Sequence, residues 1–147
     1  MTQEDKELLL KDLCARLPYK IKIKRNHCPI TLFVTGIFGE CVHHMPYYVG
    51  GNIAISATEI EEVKPYLRPM SSMTEEEKEE FCEKFECAEV NPCDFGYNEG
   101  GTLEDYISTI PFTLVALVID WLNEHHFDYR GLIPMGLALE AKDMYKN

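Results

Sequence analysis

Residues 19–25, "YKIKIKR", alternate apolar and basic side chains, and no other stretch constrains the fold of this chain as tightly. Successive side chains of an extended strand point to opposite faces, so Tyr19, Ile21 and Ile23 share one face while Lys20, Lys22 and Lys24 share the other. A helix would set Ile21 and Ile23 about 200° apart and bury neither well. The stretch is therefore a strand half-buried against a core, and such a strand needs neighbours.

The following sequence supplies them. A turn at residues 27–29 leads into the β-rich run "PITLFVTGIF". The run "PYYVGGNIAIS" places two β-prone pieces around Gly50 and Gly51, a pair suited to the positive φ angles of a tight hairpin. Residues 19–70 thus read as a small antiparallel sheet, flat or curled into a half-barrel. It ends at "EEVKPYLRPMSSM", where Pro65 and Pro69 forbid a helix interior and favour a turn or an edge strand.

Helices are expected on both sides of the sheet. Thr2 and Asp5 resemble a capping pair, and Leu9, Leu10, Leu13, Cys14 and Leu17 recur at helical spacing until Pro18 closes the segment, giving a helix over residues 1–18. Thr74 and Glu77 form a second capping pair before "EEEKEEFCEKF", whose Phe81 and Phe85 lie at i,i+4. Residues 88–101 read as a loop, and Thr102 as a helix cap. From Pro111 the run "PFTLVALVIDWLNEHH" is apolar nearly all round, which predicts a buried helix on which the sheet and the first helix pack. The expectation is one α+β domain over residues 1–147: an N-terminal helix, a sheet region at 19–70, and an acidic, mainly helical region at 71–147.

Composition narrows the function. At 147 residues with 46% hydrophobic content the chain can bury a real core without disulfides. It begins without the basic, apolar pattern of a secretory leader, and its most apolar run, 110–122, contains Asp120 and is too short to cross a bilayer. A cytoplasmic protein without membrane association is expected, its six cysteines reduced and none of them arranged as C-x-x-C. The formal charge of −11 is uneven: residues 1–70 carry nine Lys/Arg against eight Asp/Glu, and residues 71–147 carry five against seventeen. Such a second half repels duplex nucleic acid and attracts a basic protein surface.

Three stretches carry a resemblance: "DKELLLKDLCARLPY" at 5–19, "VKPYLRPMSSMTEEEK" at 63–78 and "WLNEHHFDYRGLIPMGLALEA" at 121–141. Together they resemble a family of small uncharacterised proteins of gut bacteria, often encoded near phage or mobile-element genes. This chain has Pro134 and Met135 where that family carries charged or polar residues. The resemblance implies a genomic setting and brings no activity, cofactor or catalytic residue.

Candidate chemistry is thin. His125 and His126 are adjacent, so on a helix they point about 100° apart rather than toward one metal. With Asp128, Tyr129 and Arg130 they read as a structural joint: histidines in a last helical turn, and Asp128 capping a short helical segment from Tyr129. His27, Cys41 and His43 are a conceivable metal set if neighbouring strands bring them together; the plainer account is a sheet that carries Cys28 and Cys41 inward as small apolar residues. Lys20, Lys22, Lys24 and Arg25 could meet a phosphate backbone, with Tyr47 and Tyr48 as stacking surfaces; the plainer account is a solvated strand whose lysines discourage edge pairing. No nucleophile, base and oxyanion set converges in the sequence. The leading expectation is a non-enzymatic accessory or protein-interaction module of a mobile element, without a cofactor. A single-stranded nucleic-acid binder and a small metal-dependent hydrolase are the alternatives.

Overall fold

A computed structural model describes residues 1–46, 54–85, 107–108 and 110–145. The hairpin at Gly50 and Gly51, the stacking pair Tyr47 and Tyr48, the loop at 88–101 and the cap at Thr102 lie outside the described residues. The fold is α+β, as the sequence predicts. Where the sequence reads as one body, the chain clusters into two compact units, Met1–Leu67 with Leu132–Asn147, and Arg68–Gly131.

The first unit opens with helix α1, Gln3–Arg16, whose N-terminus is closed by a reciprocal Thr2–Asp5 capping box. Leu9 and Leu13 face the core with no exposed surface, while Cys14, expected on the same face, is exposed. A short 3₁₀ turn, Leu17–Tyr19, follows, and Lys20 leaves it in a left-handed conformation with φ 56°. The strands are β1 (Lys22–Arg25), β2 (Thr31–Phe38), β3 (Cys41–Pro46), β4 (Ser56–Glu59), β5 (Val63–Leu67) and β6 (Leu139–Glu140). Their order across the sheet is β4-β3-β2-β1-β5-β6, antiparallel throughout except for the parallel β5–β6 pair.

This order dictates curvature. Strands β4 and β5 stand four positions apart, about 19 Å in a flat sheet, yet they are joined by a single 3₁₀ turn, Ile60–Glu62, rising about 2 Å per residue. The sheet must curl until its two sides approach. The joining turn is held from both: the Ile60 amide donates to the Glu40 carbonyl at 2.9 Å, and the Glu62 carbonyl accepts the Asn26 amide at 2.8 Å. The concave face buries Ile21, Ile23, Leu32, Val34, Val42, Val63 and Leu67, and is closed by Leu9 and Leu13 of α1 with Leu132, Leu137 and Ala138. Each fully buried aliphatic side chain of this kind contributes about 1.5–3 kcal/mol.

Two features of the unit are invisible in the pattern of the sequence. Strand β1 lies inside the sheet between β2 and β5, so its lysines do not guard an edge. The segment after Leu132 returns to the sheet, where β6 adds to β5 and the Ala141 amide donates to the Leu67 carbonyl at 2.7 Å.

The second unit holds helix α2, Glu75–Phe85, and helix α3, Phe112–Glu124. Thr74 and Glu77 cap α2 reciprocally at 2.9 and 3.2 Å. Phe81, Phe85, Val118, Trp121, Leu122, Phe127 and Met73 form its core, with Phe81 edge-on to both Phe85 and Trp121. The expectation of a fully buried α3 is corrected. Only Val118, Trp121, Leu122 and Asn123 are buried, whereas Phe112 is 88% and Leu117 52% exposed. Its buried residues belong to the core of the second unit rather than to the sheet.

Candidate functional site

The joint at the end of α3 is a complete Schellman closure. The His126 amide donates to the Asn123 carbonyl at 3.1 Å and the Phe127 amide to the Leu122 carbonyl at 3.0 Å, while His126 takes the left-handed conformation, φ 59°, usually left to glycine. The accompanying apolar contact is the stacking of Phe127 on Trp121 at 5.8 Å. His125 ends the helix with its ring 4.0 Å from Trp121 and its Nδ1 2.9 Å from the Trp121 carbonyl. The chain then pairs with Arg68: the Arg68 amide donates to the His126 carbonyl at 2.8 Å, and the Asp128 amide to the Arg68 carbonyl at 2.7 Å. Among the described residues no helical segment follows Asp128. Residues 129–130 and 132–136 are turns, and the Asp128 amide is part of the bridge with Arg68. Tyr129 donates its hydroxyl to Asn123 Oδ1 at 3.1 Å and accepts from Arg130 at 3.0 and 2.9 Å.

Arg68 completes this constellation, and nothing in the sequence marks it. Its guanidinium lies 4.3 Å from the Phe127 ring and donates to both carboxylate oxygens of Glu77, at 2.6 and 2.7 Å. Burial of Glu77 opposes its charge, but the hydrogen bonds from Arg68 and from the Thr74 amide outweigh it and hold the carboxyl below its usual range. The His125 ring thus sits among groups that fix a backbone turn.

The four basic residues of the opening strand do not form one row. Lys20 lies in the turn before β1. Lys22 directs its ammonium to the Met144 carbonyl and over the Tyr145 ring at 4.8 Å. Arg25 falls on the other face from Lys24, with its Nε 3.6 Å from Glu62. Lys24 alone keeps the expected outward, exposed position, and its cross-strand neighbour on β5 is Lys64.

The metal set does not assemble. His27 lies in the turn between β1 and β2, with a left-handed backbone, and Cys41 begins β3 opposite Phe38. His43 sits between Gly36 and Ala57, two residues along from Cys41. Among the described residues no three His, Cys, Asp or Glu side chains are placed to hold one ion. Burial and the nearby Glu59 carboxylate, 3.7 Å away, push the Cys41 thiol up, away from nucleophilic thiolate. A cavity of about 260 Å³ beside it is lined by Arg25, Ala57, Thr58, Glu59 and Glu62. Next to Thr58, His44 is buried with its Nε2 3.0 Å from the hydroxyl, and burial pulls its pKa down, so it is neutral near pH 7.

The outward stripe of α3 is the remaining feature. Phe112, Thr113, Ala116, Leu117, Asp120 and Glu124 are all exposed, apolar in the first half and acidic in the second. Protein-family models, curated proteins and solved structures give no match to this chain.

Proposed function

We propose that this chain is a non-enzymatic protein-interaction module, acting in the cytoplasm as an accessory of a mobile element or prophage. The observation that carries the reading is the outward stripe of α3. A helix that buries Trp121 and Leu122 while exposing Phe112 and Leu117 carries more apolar surface than its own unit uses. Asp120 and Glu124 border that surface on the same stripe, and α2 adds exposed Glu75, Glu76, Glu79 and Glu83 to the unit. The unit as a whole, Arg68–Gly131, carries four Lys/Arg against fifteen Asp/Glu. Apolar anchors beside carboxylates suit a basic amphipathic segment of a partner protein, with the anchors supplying affinity and the charges the encounter rate. No helix among the described residues is long and apolar enough to cross a membrane, which agrees with a partner in solution.

The test is affinity capture from a bacterial host lysate with the full chain and with its Phe112→Glu and Leu117→Ser variants. The expected outcome is one or more basic proteins retained by the wild type, lost with either variant and eluted by salt. Capture that is indifferent to both substitutions overturns the reading.

A further inference from the structure

Strands β1 and β5 set Lys24 directly opposite Lys64. Both residues alternate with buried neighbours, Ile23, Val63 and Pro65, so both lie on the convex face of the half-barrel. The pairs at Asn26–Glu62 and Lys24–Lys64 fall two residues apart on the ladder, which makes Lys24–Lys64 a hydrogen-bonded pair with Cα atoms about 5.5 Å apart. Like charges directly opposite one another destabilise a sheet. Among the described residues neither ammonium meets a carboxylate or an aromatic ring. On the other side of Lys24 the same cross-strand row continues to Thr31, whose hydroxyl can donate. The row Thr31–Lys24–Lys64 is therefore a short line of donors whose two ammonium groups repel one another until an anion lies between them.

The next row on the same face has a different character. Register places Met45, Phe33 and Lys22 side by side across β3, β2 and β1, and Tyr66 follows on β5 beyond Lys64. Lys22 bends its ammonium away to the Met144 carbonyl, leaving its methylene stem between the two aromatic residues. A half-buried apolar row thus runs about 7 Å from a cationic one, two residues along the strands. Nor does this unit repel polyanions by net charge. Met1–Leu67 with Leu132–Asn147 contains ten Lys/Arg and ten Asp/Glu, and the whole −11 falls in Arg68–Gly131.

We infer that the convex face of β2, β1 and β5 binds single-stranded nucleic acid, with phosphate on Lys24, Lys64 and Thr31 and bases on the row of Phe33 and Tyr66. A single strand offers both a backbone charge and an unstacked base to adjacent rows, whereas a duplex keeps its bases out of reach of the aromatic residues. The inference uses a different surface from the protein-interaction reading and stands or falls independently of it.

The experiment is a fluorescence-anisotropy titration of the full chain against a fluorescein-labelled oligothymidylate of about 15 nucleotides, at about 50 mM and about 150 mM salt. Micromolar binding at the lower salt is expected, weakening steeply at the higher. The double variant Lys24→Gln, Lys64→Gln should bind about tenfold less tightly and lower the slope of log affinity against log salt by about 1.4, at about 0.7 per lost phosphate contact. Removing two exposed lysines elsewhere in the unit, Lys11→Gln with Lys142→Gln, should change affinity less than twofold. Tyr66→Leu should weaken the oligothymidylate but leave heparin binding unchanged. The absence of binding at the lower salt overturns the inference, as does an equal loss in the control double variant. A Tyr66→Leu effect shared by heparin, or no effect on either ligand, also overturns it and leaves only a generic polyanion surface. The unfolding midpoint of the Lys24→Gln, Lys64→Gln protein should stay level or rise, since a like-charge pair is removed, so a fall in affinity there cannot come from lost folding.

Discussion

Arg16 donates to both carboxylate oxygens of Asp12, at 2.8 and 3.0 Å, and neither side chain has any exposed surface. A pair so enclosed has given up its hydration and depends on its partner. Asp12→Ala should therefore destabilise the protein by about 3–5 kcal/mol in denaturant unfolding, the usual cost of leaving one buried charge behind. The double replacement Asp12→Leu, Arg16→Met should recover most of that loss. A double variant as unstable as the single one would show that Arg16 holds the core through contacts other than its charge.

The Tyr145 hydroxyl accepts from the Lys22 amide and donates to the Tyr66 carbonyl, 3.0 Å from each. It takes the place of a direct ladder bond where β1 and β5 part, and its enclosure pushes the phenol pKa up. Tyr145→Phe keeps the ring but strands two backbone groups, and should cost about 1–3 kcal/mol. Hydrogen exchange of the Lys22 amide should accelerate at the same time. Unchanged protection of that amide would refute the bridging role.

At the end of α3 the strain sits in the backbone of His126. His126→Ala and His126→Gly delete the same imidazole, so the difference between them isolates the left-handed φ. The glycine variant should be the more stable by about 1 kcal/mol. Equal stability would mean that the turn relaxes out of the left-handed region when the side chain goes.

Glu77 predicts a pH dependence. Its folded carboxyl titrates below the ordinary value of 4.5, so its contribution is fully present above pH 4.5 and is lost as pH falls through the folded value. Glu77→Gln should destabilise the protein near neutral pH by about 1.5–3 kcal/mol, the range for hydrogen bonds to charged groups. The gap between variant and wild type should close as the pH is lowered below 4.5. A gap constant from neutral pH down to pH 3, or about that, would mean that the charge of Glu77 is not what the site uses.

Local rules with short reach were legible in the sequence. The alternation of Ile21 and Ile23, the capping boxes at Thr2 and Thr74, the stop at Pro18 and the Phe81–Phe85 pair each depend on residues within four positions of one another, and each is found in the structure. What was not legible depends on distant partners. Asp12 and Arg16 look like a solvent-facing i,i+4 pair until their burial is seen. Lys64 was hidden by Pro65, which argues against an interior strand. The proline is tolerated because the bonded pairs of β1 and β5 fall at Lys24–Lys64 and Asn26–Glu62, so alternation turns the missing amide of residue 65 away from β1. Periodicity on α3 could not say how much apolar surface its unit would cover. In the same way, the pairing of Asp128 with Arg68, sixty residues earlier, leaves no local mark.

The return of the chain to β5 through Leu132 and β6 also orders events on the ribosome. The half-barrel draws Leu132, Leu137 and Ala138 into the same core as Leu9 and Ile23, so its first half must wait, incompletely covered, until those residues have been translated. The inserted unit, Arg68–Gly131, finishes earlier and can fold while the body that flanks it is still open. A nascent chain of this protein therefore exposes its strand edges until residues 132–140 have emerged, and that interval is when it has the greatest need of a chaperone.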